Sequence, residues 1–422
     1  MAPRHGDRVR TGLRQFVMPP VQIPLSRRCC RCAAGAVEGQ NLALAVGTVE
    51  DETVAADTCR LRLDDRLHRR RADGCVHCIA AGPQHLDRRQ RRQRVRCRRH
   101  RFRRTNRRAM VSRLRALGGL HALEDFAATK GDYVRPVGTS YRGYDIHQMP
   151  PNNQGLTALI MLNVLSGFSL GSLEPYGAER FHLEIEAGRL AYQDRDNFIG
   201  DQNQVHVPVQ QLLSRSHADQ LRAEIDPARA MTHLPRLELQ PSDTVYISVV
   251  DRDRNAVSFI NSTFGSFGSG VVGPRTGVVL QNRGSSFRLA ADHPNRIAPR
   301  KRPMHTIMPG MVTAKGRAVM PFGVMGGGYQ PFGHVHLLTN MIDFGMDPQE
   351  ALDAPRVFYR QNAVEAERGV PAEAIAGLRE RGHDVSAPTE PHGGGQLVLI
   401  DWDKGTLTGA SDPRKDGCAL GY

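Results

Sequence analysis

The composition of the chain changes abruptly near residue 108, and this boundary limits the part that can fold. Residues 1–108 hold 26 Arg, no Lys and 10 Asp+Glu, a net charge of +16. The remaining 314 residues carry 31 basic and 33 acidic side chains, so the excess of +14 over the 422-residue chain lies wholly in the first quarter. Seven of the eight cysteines lie there too, and only Cys418 lies beyond. Between Arg88 and Arg108, 13 of 21 positions are Arg, with neither helical nor strand period. A run of this kind is ordinarily a solvated basic arm. Arg without Lys, mixed with Cys and His, fits out-of-frame translation of GC-rich DNA better. Residues 1–108 are therefore expected to be disordered or out of frame. Cys29–Cys32 and Cys75–Cys78 have the spacing of zinc ligands, but the pairs stand far apart and few apolar residues flank them. No metal is expected, and no nucleic-acid or membrane partner.

From residue 109 the pattern is that of a globular protein. Apolar residues at helical spacing predict helices over 154–168, 181–198 and 209–225, and again over 332–344 and 348–354. Residues 141–149 alternate like a strand. A polar, proline-containing stretch, 235–243, reads as an exposed linker. The β-branched run Thr244–Asp251 follows it, then a turn at 252–254 and a second strand, 255–262, which together read as a hairpin. Further strands are expected at 278–281, 306–312 and 318–324, the last ending at Gly326-Gly327-Gly328. A terminal hairpin is expected over 396–402 and 407–410. Many antiparallel strands with helices between them indicate an α+β layered fold. No run is long and apolar enough for a transmembrane helix. No export signal opens the chain, which favours the cytoplasm; a different N-terminus would allow the periplasm.

The common nucleotide, metalloprotease and serine-hydrolase motifs are absent. What remains is an arrangement. A polar linker ends at Asp243, Thr244 opens a core strand, and a triple glycine follows several strands later. A threonine becomes a usable nucleophile when a base activates its hydroxyl, and a free amine on the same residue can be that base. Taken alone, a threonine that opens a strand is ordinarily just a strand former.

A resemblance adds what spacing cannot. Several segments occur in the order found in the γ-glutamyltransferase family of N-terminal-nucleophile hydrolases. They are Gly118-Gly119-Leu120 with Leu123–Phe126, then Tyr141–Tyr144 leading to Met149–Gly155. Thr244 with Ser248–Asp251 follows, then Phe267–Val272, Lys301-Arg302-Pro303 and Gly326–Gly328. The last is Gly409–Arg414. Residues 110–422 resemble that family, which implies a four-layer αββα sandwich and a precursor that cuts itself between Asp243 and Thr244. On this resemblance residues 109–243 belong to the large fragment and 244–422 to the small one, with a homodimer of these as the larger assembly it allows. Thr244 would be nucleophile and base, Ser262 its supporting hydroxyl, and Gly326 and Gly327 the donors of an oxyanion hole. The substrate would be a small-molecule amide, and no cofactor is called for.

Departures from the family pattern bear on the acyl group. Members that bind glutamate hold its α-ammonium with an amide and an acid, where this chain has Arg283 and Ser286. His305 and Thr306 replace the paired serines, and Asn261 lies beside the supporting hydroxyl. A cation in place of an anion should prefer a second carboxylate or an oxo-acid to an α-ammonium. This resembles the branch with oxamate amidohydrolases and acylases, so the substrate is expected to be a γ-glutamyl amide or a small oxo-acid or dicarboxylate amide. The family's N-terminal strands and carboxylate-binding arginine have no counterpart in residues 1–108. The alternative reading is therefore a catalytically inactive, truncated or frame-disrupted relative.

Overall fold

A computed structural model describes residues 42–47, 106–129, 131–232, 243–274 and 276–422. The C-x-x-C pairs and the linker 235–242 lie outside these residues. Within the arginine-rich segment, β1 (Leu42–Gly47) runs parallel to the later strand β5 (Ala256–Phe264). Helix α1 (106–116) and α2 (Leu123–Ala128) follow.

Two-residue turns with positive φ build the main sheet. β2 (Val137–Tyr141) turns through Arg142 (φ 50°) and Gly143 (φ 89°) into β3 (Tyr144–Gln148). Such turns match the right-handed twist of paired strands. Then come α3 (Gly155–Leu165), α4 (Ala178–Phe198), α5 (Val209–Leu212) and α6 (Arg215–Ala223). The single helix expected over 209–225 is two, because Ser214 caps α6 by accepting from the His217 N–H. An N-cap serine satisfies a donor that would otherwise be orphaned, so the helix restarts there.

β4 (Asp243–Val250) and β5 (Ala256–Phe264) form the expected hairpin. β6 (Gly310–Ala314) and β7 (Arg317–Met325) form another, around Lys315-Gly316. The strand expected at 278–281 is only a bridge between Val272 and Val279. The strand expected to begin at Thr306 begins instead at Gly310. Helices α7 (Gln330–Ile342) and α8 (Pro348–Asp353) lie where periodicity places them. A small sheet, with β8 (Val357–Arg360) and β9 (Ala363–Ala366), then α9 (Ala372–Glu380) and β10 (Val385–Ser386), went unread in the sequence. The terminal hairpin is β11 (Gly394–Asp401) and β12 (Thr406–Ser411).

Six strands form one antiparallel sheet in the order β12-β11-β7-β6-β3-β2, and three form a second in the order β1-β5-β4. Helices α3 and α7 pack on the larger sheet, and the smaller sheet faces β7 and β11. Among the described residues the layers are thus helix, sheet, sheet. Every residue of α3 is buried, as expected of a helix apolar on all sides. Its neighbour α4 carries buried charges that are paired: Arg180 donates to Glu184 at 3.0 Å, and Glu184 accepts from Thr339 of α7 at 2.8 Å. No helix among the described residues is long and apolar enough to cross a membrane.

Candidate active site

The start of β4 lies against the end of β7, and two contacts fix the register between the sheets. Ser248 Oγ donates to the Pro321 carbonyl at 3.0 Å. Two residues earlier on β4, the Tyr246 ring lies where a Cβ on Gly323 would be, 2.4 Å from its nearest carbon. Thr244 lies two residues earlier again on the same strand. Thr244 shares the buried face with Tyr246, and its Oγ1 has no hydrogen-bond partner among the described residues. An orphaned hydroxyl in a buried position asks for an explanation.

Opposite Thr244 the ladder is irregular. Asp243 pairs with Phe264 and Val245 with Asn261, so β5 has two residues, Ser262 and Thr263, against one on β4. Such bulges re-aim side chains beside active sites. Phe264 takes up the irregularity at φ 77°, in the left-handed region that costs a bulky residue energy. Ser262 Oγ accepts from the Phe264 N–H at 2.9 Å, so its hydroxyl braces the bulge. Asn261 pairs with the exposed Val245 and therefore faces away from Thr244; the fold does not bring it into the group.

Gly326 and Gly327 have φ of 126° and 58°. A Cβ on Gly326 would lie 3.0 Å from Gly393 Cα. Both constraints call for glycine. The turn is held from outside, since Gln154 Nε2 donates to the Gly327 carbonyl at 2.8 Å and the Tyr192 hydroxyl donates to that of Gly328. Neither was expected at the site: Tyr192 lies within an apolar helical pattern that core packing explains, and Gln154 drew notice only as a member of the Met149–Gly155 segment.

Arg283 is 2% exposed. Its guanidinium donates to Thr306 Oγ1 at 3.1 Å and to the Ser262 carbonyl at 3.3 Å, and lies 5.2 Å from the centre of the Phe264 ring. Among the described residues no carboxylate pairs with it. Burial pulls its pKa down to about 10. His305 lies alongside, and burial, then the Arg283 charge, holds its ring well below the usual histidine range. Ser286 Oγ donates towards the Arg283 and Met304 carbonyls. A cavity of about 320 Å³ opens here, lined by Phe264, Ser286, Thr306 and Gly328 with Arg195 and Arg288. Of the expected site residues, Ser286 and Thr306 line this cavity, and Arg283 joins it through Thr306; Thr244, Ser262, Gly326, Gly327 and His305 are not among its lining residues.

One buried group away from this cavity has ligand-like composition. His182, Glu186 and His383 bring donor atoms within 4.8 Å of one another. Their hydrogen bonds already account for them. His182 Nε2 donates to the Asp226 carbonyl at 2.8 Å, so its Nδ1 accepts from His383 at 2.8 Å. Glu186 accepts from Arg189 and from the Met231 N–H, both at 2.8 Å. A guanidinium on the carboxylate makes this a tie between α4 and the residues after α9, not a seat for a cation.

The family model for gamma-glutamyltranspeptidase matches residues 107–422. The chain belongs to the gamma-glutamyltranspeptidase family. A glutathione hydrolase-like proenzyme of Bacillus subtilis is 38% identical over 322 residues, covering 74% of this chain and 60% of the relative. The oxamate amidohydrolase proenzyme of Klebsiella pneumoniae is 34% identical over 318 residues, covering 73% and 59%. The chain thus spans about three-fifths of the length of these curated relatives. Among solved structures, a cephalosporin acylase from Bacillus halodurans superposes with a TM-score of 0.68 at 38% identity, over 73% of this chain and 57% of that one. The α+β layering is that of this family of N-terminal-nucleophile hydrolases.

Proposed function

We propose that the protein is an amide hydrolase or acyltransferase that works through an acyl-enzyme on Thr244. The reading rests on one observation: a buried threonine hydroxyl at the start of a core strand that has no hydrogen-bond partner among the described residues. In the first step the Thr244 hydroxyl attacks the carbonyl of Asp243. The peptide becomes an ester, and water cleaves the ester. The shift to the ester breaks the Asp243–Thr244 C–N bond and frees the Thr244 amine, which takes up the hydroxyl proton, and the hydrolysis separates a fragment that ends at Asp243. The amine then takes the hydroxyl proton as Oγ1 attacks a substrate amide. The N–H groups of Gly326 and Gly327 stabilise the oxyanion, and the leaving amine departs with the proton. Water or an acceptor amine resolves the ester. The relatives named as proenzymes are consistent with such a precursor.

The acyl group proposed is a short dicarboxylate or oxo-acid without an α-ammonium. A buried guanidinium with no carboxylate partner among the described residues is suited to a substrate carboxylate. The resemblance to oxamate amidohydrolase and cephalosporin acylase agrees with this, while the glutathione hydrolase-like relative favours γ-glutamyl amides. Glutaryl and γ-glutamyl p-nitroanilides separate the two, since only the second carries the ammonium. The glutaryl compound should have the higher kcat/KM, and Arg283→Met should lower it about tenfold to a hundredfold, the value of one charged contact. A preference for γ-glutamyl, with Arg283→Met unchanged, would refute the assignment.

A further inference from the structure

Gln154 sits at the start of α3, wholly buried, with its main chain fixed on both sides of the peptide. Its N–H donates to the His305 carbonyl at 2.9 Å, and the His305 N–H donates to the Asn152 carbonyl at 2.9 Å. The side chain is therefore aimed by a short bridge to the segment that carries Thr306. Its Nε2 donates to the Thr306 carbonyl at 2.8 Å and to the Gly327 carbonyl at 2.8 Å. A primary amide has two N–H hydrogens, and each has a carbonyl here. Both neighbours are acceptors, so the nitrogen must face them, and the flip of the amide is determined. The Oε1 end is buried with no partner among the described residues. A glutamine serving only the core would be expected to use both ends. This one uses its donor end in full.

The two carbonyls belong to different parts of the site. Gly327 is in the glycine turn. Thr306 receives the Arg283 guanidinium on its hydroxyl. We propose that Gln154 is a positioning residue that holds the oxyanion turn and the Arg283–Thr306 subsite at a fixed spacing. A carboxylate held at one end and an amide carbonyl polarised at the other would then meet both groups at once. This rests on the reading of Arg283 and the glycine turn given above. Small displacements of such groups cost on the order of a hundredfold in rate.

Gln154→Glu tests the proposal, because it keeps the shape and removes both donors. An ionised carboxylate would repel the two carbonyls, and its protonated form restores one donor. With glutaryl p-nitroanilide, kcat of Gln154→Glu should fall at least about tenfold at pH 8, and its ratio to the unaltered chain should rise as pH falls towards 6. Gln154→Leu should show a deficit that does not change with pH. Activity within about twofold for both variants, or equal deficits at every pH, would overturn the proposal. Amide hydrogen exchange of the full chain supplies a second readout that needs no turnover. Segments 303–308 and 326–330 should both exchange faster in Gln154→Leu, while α3 beyond its first turn is unchanged. Unaltered exchange in both segments would overturn the brace. A chain that is inactive before substitution would instead count against the reading of the site, and the exchange result would still decide the role of Gln154.

Discussion

Arg283 is costly to the fold and useful to a ligand. A desolvated guanidinium without a carboxylate withdraws stability that a neutral side chain of similar length would return. Arg283→Met should therefore raise the thermal midpoint by about 1–2 °C, the shift that about 1 kcal/mol produces in a folded part of 314 residues. The substitution expected to weaken turnover is thus expected to stabilise. Differential scanning fluorimetry checks it, and a fall of similar size would make Arg283 a structural tie instead. At this scale the sequence was partly legible. Thr244, Arg283 and Gly326 stood out through the order of the motifs around them. Tyr192 did not, and Gln154 did so only as part of the Met149–Gly155 segment with no role attached, since their contacts are with carbonyls more than 130 residues away. Asn261 was expected to bind substrate from the resemblance of the stretch 257–262 to one branch of the family, but strand alternation turns it to the other face.

Helix packing offers a second check. Gly188 lies in the middle of α4, where alanine would favour the helix by about 0.8–1.0 kcal/mol. A Cβ there would come 2.1 Å from Phe332 Cζ of α7. Overpacking of this kind costs about 1–3 kcal/mol, so Gly188→Ala should destabilise despite its better propensity. Urea denaturation measures the difference, and a stabilised variant would mean that α4 and α7 are not in close contact. Period and turn chemistry made α3, α4, α7 and the β4–β5 and β11–β12 hairpins readable. The split between α5 and α6 turned on one capping serine. The small sheet β8–β10 has strands of two to four residues, too short for alternation to register.

The molecule as a whole buries several histidines in the neutral state. Burial alone lowers the pKa of His334 to about 3, with Nε2 accepting from the Val324 N–H and Nδ1 against Gln148. Its folded pKa is depressed, so the unfolded chain binds the proton more readily. Stability is then present above the unfolded value near 6.5 and is lost as pH falls towards 3, at about 1.4 kcal/mol per pH unit in the steep part. Between pH 6.5 and 5, denaturation should show stability falling with pH, and His334→Gln should flatten that slope. An unchanged slope would contradict the assignment. At this scale the layered α+β fold was legible from 109–422, whereas β1 in the arginine-rich segment was not, because its surroundings carry no strand pattern.

All of this converges on Thr244 as a nucleophile that the chain prepares for itself. The direct test is the intact mass of the purified full chain after incubation, beside Thr244→Ala. Two fragments divided between Asp243 and Thr244 are expected in the first sample and one uncut chain in the second. An uncut chain in both, or cleavage that persists without the threonine hydroxyl, would contradict it.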